Sequence, residues 1–233
     1  MNKKYTNKKT FSPNQRDDDC EDCMDLGSDL LGFSVESNSF YNFTVHINTD
    51  VREARYYSKV FDMMLRAGES DCVNFFIASD GGDLDGLNIL LEGIRLTEAE
   101  TCAILVGPAH SAASILALNC GSVVVTDSAS MLCHNMRTGY GGKMADLDAF
   151  TTHSKRIADK LMHETYKGFL SDESIQEVIH GKELWLTADQ IRERLAQRDD
   201  YLEAKFLVEQ EEMKALQEQQ EQDEPKPKRK KKK

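Results

Sequence analysis

Residues 107–118 read GPAHSAASILAL and place one hydroxyl side chain, that of Ser111, between an apolar strand and an apolar helix. The preceding residues 101–106 (TCAILV) show no alternation, which predicts a strand covered on both faces. A serine at such a junction can present its Oγ atom at a sheet edge, where a helix N-terminus favours negative charge. The residues leave two interpretations open. Ser111 is a nucleophile, or it caps the helix in a tight turn outside any G-x-S-x-G motif.

The composition predicts one folded domain with appendages, because 233 residues can bury one substantial core. A formal net charge of −11 argues against a nucleic-acid-binding domain. No apolar run reaches the roughly 20 residues that span a bilayer, and the polar N-terminus lacks the apolar stretch of a signal peptide. We therefore expect a cytoplasmic protein without membrane contact.

The six cysteines do not form a disulfide pattern. Four of them lie in or beside apolar runs, which is typical of small buried side chains in a reducing compartment. These four are Cys72, Cys102, Cys120 and Cys133. Cys20 and Cys23 form a C-x-x-C motif in an acidic segment without a second pair at zinc-site spacing, so a redox or metal role is only the alternative interpretation. The sequence indicates neither a metal ion nor an organic cofactor.

Both ends of the chain differ in composition from the middle. Residues 1–32 are polar and charged, which predicts a disordered arm. Residues 201–224 are acidic, and their composition is compatible with a helix. Residues 225–233 (PKPKRKKKK) are basic, which predicts a disordered tail. Contact of this tail with nucleic acid or an acidic partner, or its use as a localisation signal, are alternatives to a purely solvated tail.

The middle of the chain repeats a strand–helix unit. Strands are predicted around residues 43–47, 73–78 and 101–106, and helices over 51–67 and after Asp83. The second strand runs into SDGG (residues 79–82), whose paired glycines suit a backbone that approaches a ligand closely, or an ordinary tight turn. Since ligand sites of open α/β sheets collect at the carboxyl ends of strands, the SDGG loop and Ser111 are expected at one edge.

A histidine follows a later strand in the same way. Short strands are predicted at residues 123–125 and 131–133, and the second ends at His134, just before the glycine-rich run 139–142. A neutral imidazole within reach of Ser111 would supply the base that a serine nucleophile needs. His134 is therefore the candidate base.

Four motifs together resemble the proteolytic subunit of Clp protease, in the branch found in phages and prophages. They are SDGG (79–82), GPAHSAAS (107–114), MLCH (131–134) and WLTA (185–188). The resemblance covers roughly residues 43–195. It implies an α/β fold of the ClpP/crotonase type, with repeated β-β-α units, over a peptidase domain at residues 33–200. It also implies a protruding handle helix, for which residues 144–170 are the match.

The resemblance implies a serine endopeptidase in which Ser111 attacks the scissile carbonyl and His134 accepts its proton. The backbone N–H groups of Gly82 and Ala112 would form the oxyanion hole. Peptide would bind beside Gly81 and as an added strand along the glycine-rich run, through Gly139, Gly141 and Gly142. Ser114 is the competing nucleophile, which we rank second because it lies one helical turn further on.

Three positions depart from the family pattern. Ile179 stands where the family has the aspartate that orients the histidine, and Glu183 is our candidate in its place, with Glu177 and Asp172 as further carboxylates. Asp80 replaces the proline before the paired glycines. His110 lies directly before Ser111, where we expect a structural or pocket residue and not a second base.

The resemblance further implies a homo-oligomeric ring, a heptamer or a double ring, acting on peptide or unfolded protein. An AAA+ unfoldase or the capsid proteins of a virus are the implied partners, and in the viral case the location would be the host cytoplasm. Two other functions stay open at this point: a catalytically decayed ClpP-like scaffold or regulatory subunit, motivated by Ile179, and a crotonase-type acyl-CoA enzyme. Labelling of Ser111 by a fluorophosphonate separates the peptidase from both.

Overall fold

A single sheet forms the centre of the molecule. The computed structural model of the protein describes residues 35–37, 40–137, 139 and 141–223, and within these ranges the sheet has seven strands. The strands are β1 (Val35–Ser37), β2 (Tyr41–Ile47), β3 (Cys72–Ser79), β4 (Glu100–His110), β5 (Ser122–Val125), β6 (Ser130–Cys133) and β7 (Leu184–Thr187). Their spacing along the chain follows the β-branched and aromatic residues that favour a pleated surface.

β4 is the strand on which the sheet is centred. The order is β1-β2-β3-β4-β6-β7, with β5 also paired to β4. The first half of β4 pairs with β5 and its last three residues pair with β6, all in parallel, whereas β1 and β7 run antiparallel to their neighbours. The carboxyl ends of β3, β4 and β6 therefore meet at one edge of the sheet.

Helices connect the strands and cover one face of the sheet. They are α1 (Ser58–Arg66), α2 (Leu84–Leu96), α3 (Ala112–Asn119), α4 (Met144–Tyr166), α5 (Asp172–Ile179) and α6 (Ala188–Asp223). In the described ranges, no helix is long and apolar enough to cross a bilayer. The mixed α/β architecture confirms the predicted fold class, including the long helix after the glycine-rich run.

The core lies between the sheet and the helices. Phe75, Ile77 and Leu105 on the strands, with Leu90 and Leu116 on the helices, are fully buried there. Burying one such side chain contributes roughly 1.5–3 kcal/mol. α3 is buried on all sides, which explains why its sequence has almost no polar face.

The prediction that residues 101–106 are covered on both faces was wrong. Burial alternates along β4: Ala103 and Leu105 are fully buried, whereas Cys102 and Ile104 are partly exposed and Val106 is 40% exposed. The described helices pack on one face only, so the opposite face of β4 keeps contact with solvent. An unbroken apolar run was therefore not sufficient evidence of two covered faces.

Two helices differ from the sequence-based boundaries. The helix predicted over 51–67 begins at Ser58, after the 3₁₀ turn Ala54–Tyr57, because Val51 forms a β-bridge with Gly82 and cannot be helical. α6 runs without interruption through the predicted boundary at residue 200. The predicted arm at 1–32 with its C-x-x-C motif and the basic tail at 225–233 lie outside the described residues.

Candidate active site

Ser111 occupies a strained backbone turn between β4 and α3. Its dihedral angles are φ 54° and ψ −123°, and it is the one non-glycine residue with positive φ among those described. Such a conformation costs about 1–3 kcal/mol and persists only where the surroundings fix it. Here the Ser111 N–H donates to the carbonyl of Leu132 at 2.9 Å, which holds the turn against β6. The turn brings the chain abruptly from strand to helix, as the turns that expose a nucleophilic serine do.

The second hydroxyl of this motif, that of Ser114, is fully buried. Its Oγ donates to the Ser111 carbonyl at 2.7 Å and lies 2.8 Å from the hydroxyl of Tyr166, the last residue of α4. Burial raises the pKa of the Tyr166 phenol well above its ordinary value, so the phenol stays protonated. Ser114 therefore stabilises the Ser111 turn through its hydrogen bonds. No sequence pattern indicated that Tyr166 contributes to this turn.

The paired glycines lie directly against the Ser111 turn. A Cβ atom added to Gly81, whose φ is 97°, would be 2.6 Å from Ser111 Cβ and 2.9 Å from the Ala112 nitrogen. Only glycine allows this approach. The loop is fixed from its other side by Val51, whose N–H donates to the Gly81 carbonyl at 2.6 Å and whose carbonyl accepts from the Asp83 N–H at 2.7 Å.

Two backbone donors remain for a ligand in this loop. The bridge to Val51 uses the Gly81 carbonyl and the Asp83 N–H, and leaves the N–H of the exposed Gly82 without an acceptor among the described residues. Ala112 begins α3, so its N–H has no intrahelical acceptor. Two such donors aimed at one oxygen are what an oxyanion requires. A cavity of about 520 Å³, lined in part by Val51 and Asp83, opens beside the loop.

His134 follows the last residue of β6, as Ser111 follows the last residue of β4. The two strands pair in parallel up to His110 and Leu132, so both residues leave the same edge of the sheet. The His134 ring is half-buried, and no hydrogen bond joins it to the Ser111 hydroxyl in the described part of the chain. The ends of β4 and β6 therefore place Ser111 and His134 on neighbouring strands at one edge of the sheet. A hydrogen bond between a nucleophile and its base is often formed only when substrate binds.

The surroundings of His134 favour its neutral form. Desolvation lowers the pKa of the ring below its ordinary value of 6.5, and the charge of Arg137 lowers it further, with a smaller lowering from His110. The carboxylate of Glu183 and the backbone of Asn135 act in the opposite direction. Because a general base must be unprotonated, a lowered pKa keeps His134 ready to accept a proton at neutral and mildly acidic pH.

Two of the three carboxylates considered for the third position bind basic side chains. Glu183 accepts from the Arg137 guanidinium at 3.2 Å, and Glu177 pairs with Lys182 at 2.6 Å. Asp172 lies in the first turn of α5. At the family's aspartate position, Ile179 presents its backbone carbonyl to the amide of Asn135, at 2.7 Å. Glu183 thus acts on His134 through its charge, and among the described residues no carboxylate is hydrogen-bonded to the ring.

The glycines proposed for peptide binding form an open segment after His134. Gly139, Gly141 and Gly142 are exposed and lie outside the described strands. A Cβ atom added to Gly139 or Gly141 would meet no atom within 4 Å. These two glycines therefore have open space on their Cβ side, and the role of residues 139–142 as a strand for peptide stays a prediction.

His110 is held by polar groups from two neighbouring strands. Its Nδ1 atom lies 2.9 Å from Asp80 Oδ1 and its Nε2 atom 3.0 Å from Ser130 Oγ. The edge of the ring packs against Trp185, with the centroids 5.1 Å apart. Sequence reasoning identified His110 as a structural residue but had no signal for Ser130, which is 20 residues away along the chain.

The protein is thus of the α/β class, and its strained serine, its paired glycines and a histidine of lowered pKa follow neighbouring strands at one edge of the sheet. The family model of Clp protease matches residues 33–194. The chain therefore belongs to the Clp protease family, and the family implies a ClpP-like peptidase of the serine type. Members of this family generally form oligomeric rings and act on protein substrates. No curated protein matches the chain significantly.

Proposed function

We propose that the protein is a serine endopeptidase that cleaves extended, unfolded polypeptides with Ser111 as nucleophile and His134 as general base. The observation that carries the proposal is the strained Ser111 turn, with φ 54°, packed against Gly81 at the strand edge from which His134 also leaves. Strain of this kind is maintained at functional sites, whereas a serine that only caps a helix has no need of it.

Each group of the site has a defined role in the proposed reaction. Ser111 Oγ bonds to the scissile carbonyl carbon while His134 takes the hydroxyl proton, and the carbonyl oxygen becomes an oxyanion held by the N–H groups of Gly82 and Ala112. Each such donor is worth about 3 kcal/mol in the transition state. The carbon–nitrogen bond then breaks as His134 returns the proton to the leaving amine, and water releases the acyl group by the same steps in reverse.

The proposed assembly is a homo-oligomeric ring that uses α4. Only the second half of this helix is anchored in the core, through Ala158, Met162 and Tyr166, whereas Met144 is 77% exposed and Ile157 42% exposed. An AAA+ unfoldase delivering unfolded protein is the first proposed partner. Capsid proteins of a virus are the alternative substrate, and this alternative rests on the resemblance of the serine motif to phage members.

Labelling with a fluorophosphonate probe tests the chemistry. We expect mass spectrometry to locate the probe on Ser111, and peptide hydrolysis to fall to background in Ser111→Ala but not in Ser122→Ala, which removes an exposed serine from β5. Hydrolysis by Ser111→Ala at the wild-type rate would overturn the proposal. Light scattering on the same samples tests the ring.

A second candidate function is a ring-forming scaffold or regulatory subunit with a decayed site. It is favoured by Ile179 at the aspartate position, where Asn135 binds the backbone carbonyl, and by the pairing of Glu183 with Arg137. Rings that assemble but show no probe labelling, with or without an unfoldase, would establish this function in place of the peptidase. A crotonase-type enzyme would also remain unlabelled, but it would bind acyl-CoA.

A further inference from the structure

Three side chains form a continuous bridge across the strands that carry the candidate site. The Asp80 carboxylate binds one nitrogen of the His110 ring at 2.9 Å, and the other nitrogen binds the Ser130 hydroxyl at 3.0 Å. The side chain of His110 is 13% exposed, so the ring is fixed in place, whereas Asp80 is 78% exposed. Trp185 on β7 packs its ring against the free edge of the imidazole. Both nitrogens of His110 are therefore occupied.

Asp80 and His110 directly precede parts of the site, and Ser130 begins the strand that leads to the base. Asp80 leads into Gly81 and Gly82, His110 precedes Ser111, and Ser130 is the first residue of β6, which ends immediately before His134. These parts belong to β3, β4 and β6, which are neighbours in the sheet. The bridge thus spans the oxyanion loop, the nucleophile turn and the strand of the base.

The sheet itself is irregular where the bridge lies. Ile77 pairs with Leu105 but Ser79 pairs with Ala109, so two residue steps along β3 match four along β4. β4 also changes its partner from β5 to β6 in this region, and Pro108 has no N–H to donate. Backbone pairing between β3 and β4 is therefore irregular at the start of the glycine loop, while Val51 holds the loop from its other side. The bond from Asp80 to His110 adds a side-chain connection between these two strands.

We propose that Asp80, His110 and Ser130 are positioning residues that hold the oxyanion loop, the nucleophile turn and the base strand in one fixed arrangement. This inference rests on the proposed peptidase function. Displacing a reacting group by about 1 Å can cost 10²-fold in rate.

The bridge also has an electrostatic consequence that a purely structural role would lack. The pKa of His134 is lowered by desolvation, by the charge of Arg137 and, least of all, by that of His110, whereas Glu183 and the Asn135 backbone raise it. Replacing His110 with the uncharged Gln removes this contribution. The acidic limb of the pH–rate profile, which reports His134, is then expected to move to higher pH.

The exposed Asp80 offers the cleanest test, because its replacement does not endanger the core. In Asp80→Ala we expect kcat for peptide hydrolysis to fall about tenfold with KM little changed, since the loop acts on the transition state. Asp80→Asn keeps an oxygen acceptor for the His110 N–H and should recover most of the rate. Asp85→Asn, which removes a charge from an exposed position five residues further on, is the matched control and should retain wild-type kcat.

Coupling between the residues provides the decisive measurement. If the three residues act as one unit, Asp80→Ala combined with His110→Gln will lose no more activity than His110→Gln alone. Amide hydrogen exchange of residues 79–87 should accelerate in Asp80→Ala and in Ser130→Ala. Unchanged kcat and unchanged exchange in Asp80→Ala, or additive losses in the double variant, would overturn the proposal.

Exchange also separates this inference from the proposed function. If wild-type protein shows no probe labelling of Ser111, the peptidase function fails, yet faster exchange in Asp80→Ala would still establish that the bridge holds the loop. Conversely, a labelled wild type with unchanged kcat and exchange in Asp80→Ala would retain the peptidase and remove the positioning role.

Discussion

Ser111 is both a strained backbone position and the proposed nucleophile. Its positive φ angle lies in a region of backbone conformation that favours glycine. The hydrogen bonds of the Ser111 N–H to Leu132 and of the Ser114 hydroxyl to the Ser111 carbonyl offset this strain. The residue gains a partly exposed position at the N-terminus of α3. The proposed catalytic role of the Ser111 hydroxyl therefore comes with a cost in the free energy of folding.

Replacing Ser111 with glycine should stabilise the protein. The strain of about 1–3 kcal/mol would be relieved, and the added entropy of the unfolded chain would offset about 0.5–1 kcal/mol of the gain. We expect the free energy of unfolding of Ser111→Gly to exceed that of Ser111→Ala by about 1 kcal/mol, or about 2–4 °C in Tm. Both variants lack the hydroxyl, so the comparison isolates the backbone. Equal stability would mean that the turn is not strained.

Glu183 and Arg137 set the protonation of His134 from opposite directions. The Glu183 charge raises the pKa of the ring and the Arg137 charge lowers it. Glu183→Gln should therefore lower this pKa and extend activity to more acidic pH, whereas Arg137→Gln should shift the acidic limb to higher pH. The pH dependence of kcat/KM measures both shifts, with Glu177→Gln as the control that leaves the profile in place.

The size of the decrease in kcat in Glu183→Gln shows whether Glu183 orients the His134 ring or acts on it only through its charge. Because Glu183 is bound to Arg137 and not to the ring, we expect kcat at neutral pH to stay within about tenfold of wild type, far from the 10⁴-fold loss that follows removal of an orienting carboxylate. A loss approaching that size, without a shift of the acidic limb, would make Glu183 the third member of a triad.

At the scale of elements, the strand ends determine where the chemistry lies. A part of the candidate site follows each of β3, β4 and β6, and the parallel arrangement of these strands brings the parts to one edge. α4 contributes from the other side, because Tyr166 at its end contacts both Ser114 and Cys133. Burial raises the pKa of Cys133 to about 12, so this thiol stays protonated and serves packing. The end of the helix proposed for assembly is thus bonded to the nucleophile turn.

Local sequence patterns were sufficient for the elements and insufficient for the connections between them. The strand–helix repeat, the glycine loop and the serine turn could be predicted because hydrophobic period and turn residues report on neighbours in the chain. The bridge from Val51 to Gly82 and the bonds of His110 join residues 20 to 31 positions apart, and no local pattern indicates them. The exposed face of β4 was missed for the same reason.

At the scale of the whole molecule, α6 combines two regions with different surroundings. Its first turns are part of the body, since Ile191 is fully buried and the Arg198 guanidinium donates to the carbonyls of Thr165 and Leu118 at 3.0 and 2.7 Å. The Tyr201 ring covers Gly168. Beyond this point the apolar side chains Phe206 and Met213 are 58% and 57% exposed. The body of the molecule therefore ends near Tyr201, although the helix continues.

Truncation should separate these two regions. Deleting residues 204–233 removes the exposed side chains of Phe206 and Met213 and none of the buried ones named above, so we expect the Tm to change by less than about 2 °C. Deleting residues 197–233 also removes Arg198, whose charged hydrogen bonds to two carbonyls contribute about 1.5–3 kcal/mol each. The longer deletion should lower the Tm by at least about 6 °C, because 1 kcal/mol corresponds to about 2–4 °C in a chain of this size.

The dependence of the Tm on protein concentration tests whether the distal half of α6 takes part in assembly. Apolar side chains that stay exposed in the assembled protein contribute nothing to it, so the Tm of the 204–233 deletion should follow that of the full chain at every protein concentration. A deletion variant that unfolds at lower temperature only at high concentration would show that the distal half of α6 binds another copy, because association stabilises by mass action. In that case α6, together with α4, would belong to the surface through which the subunits assemble.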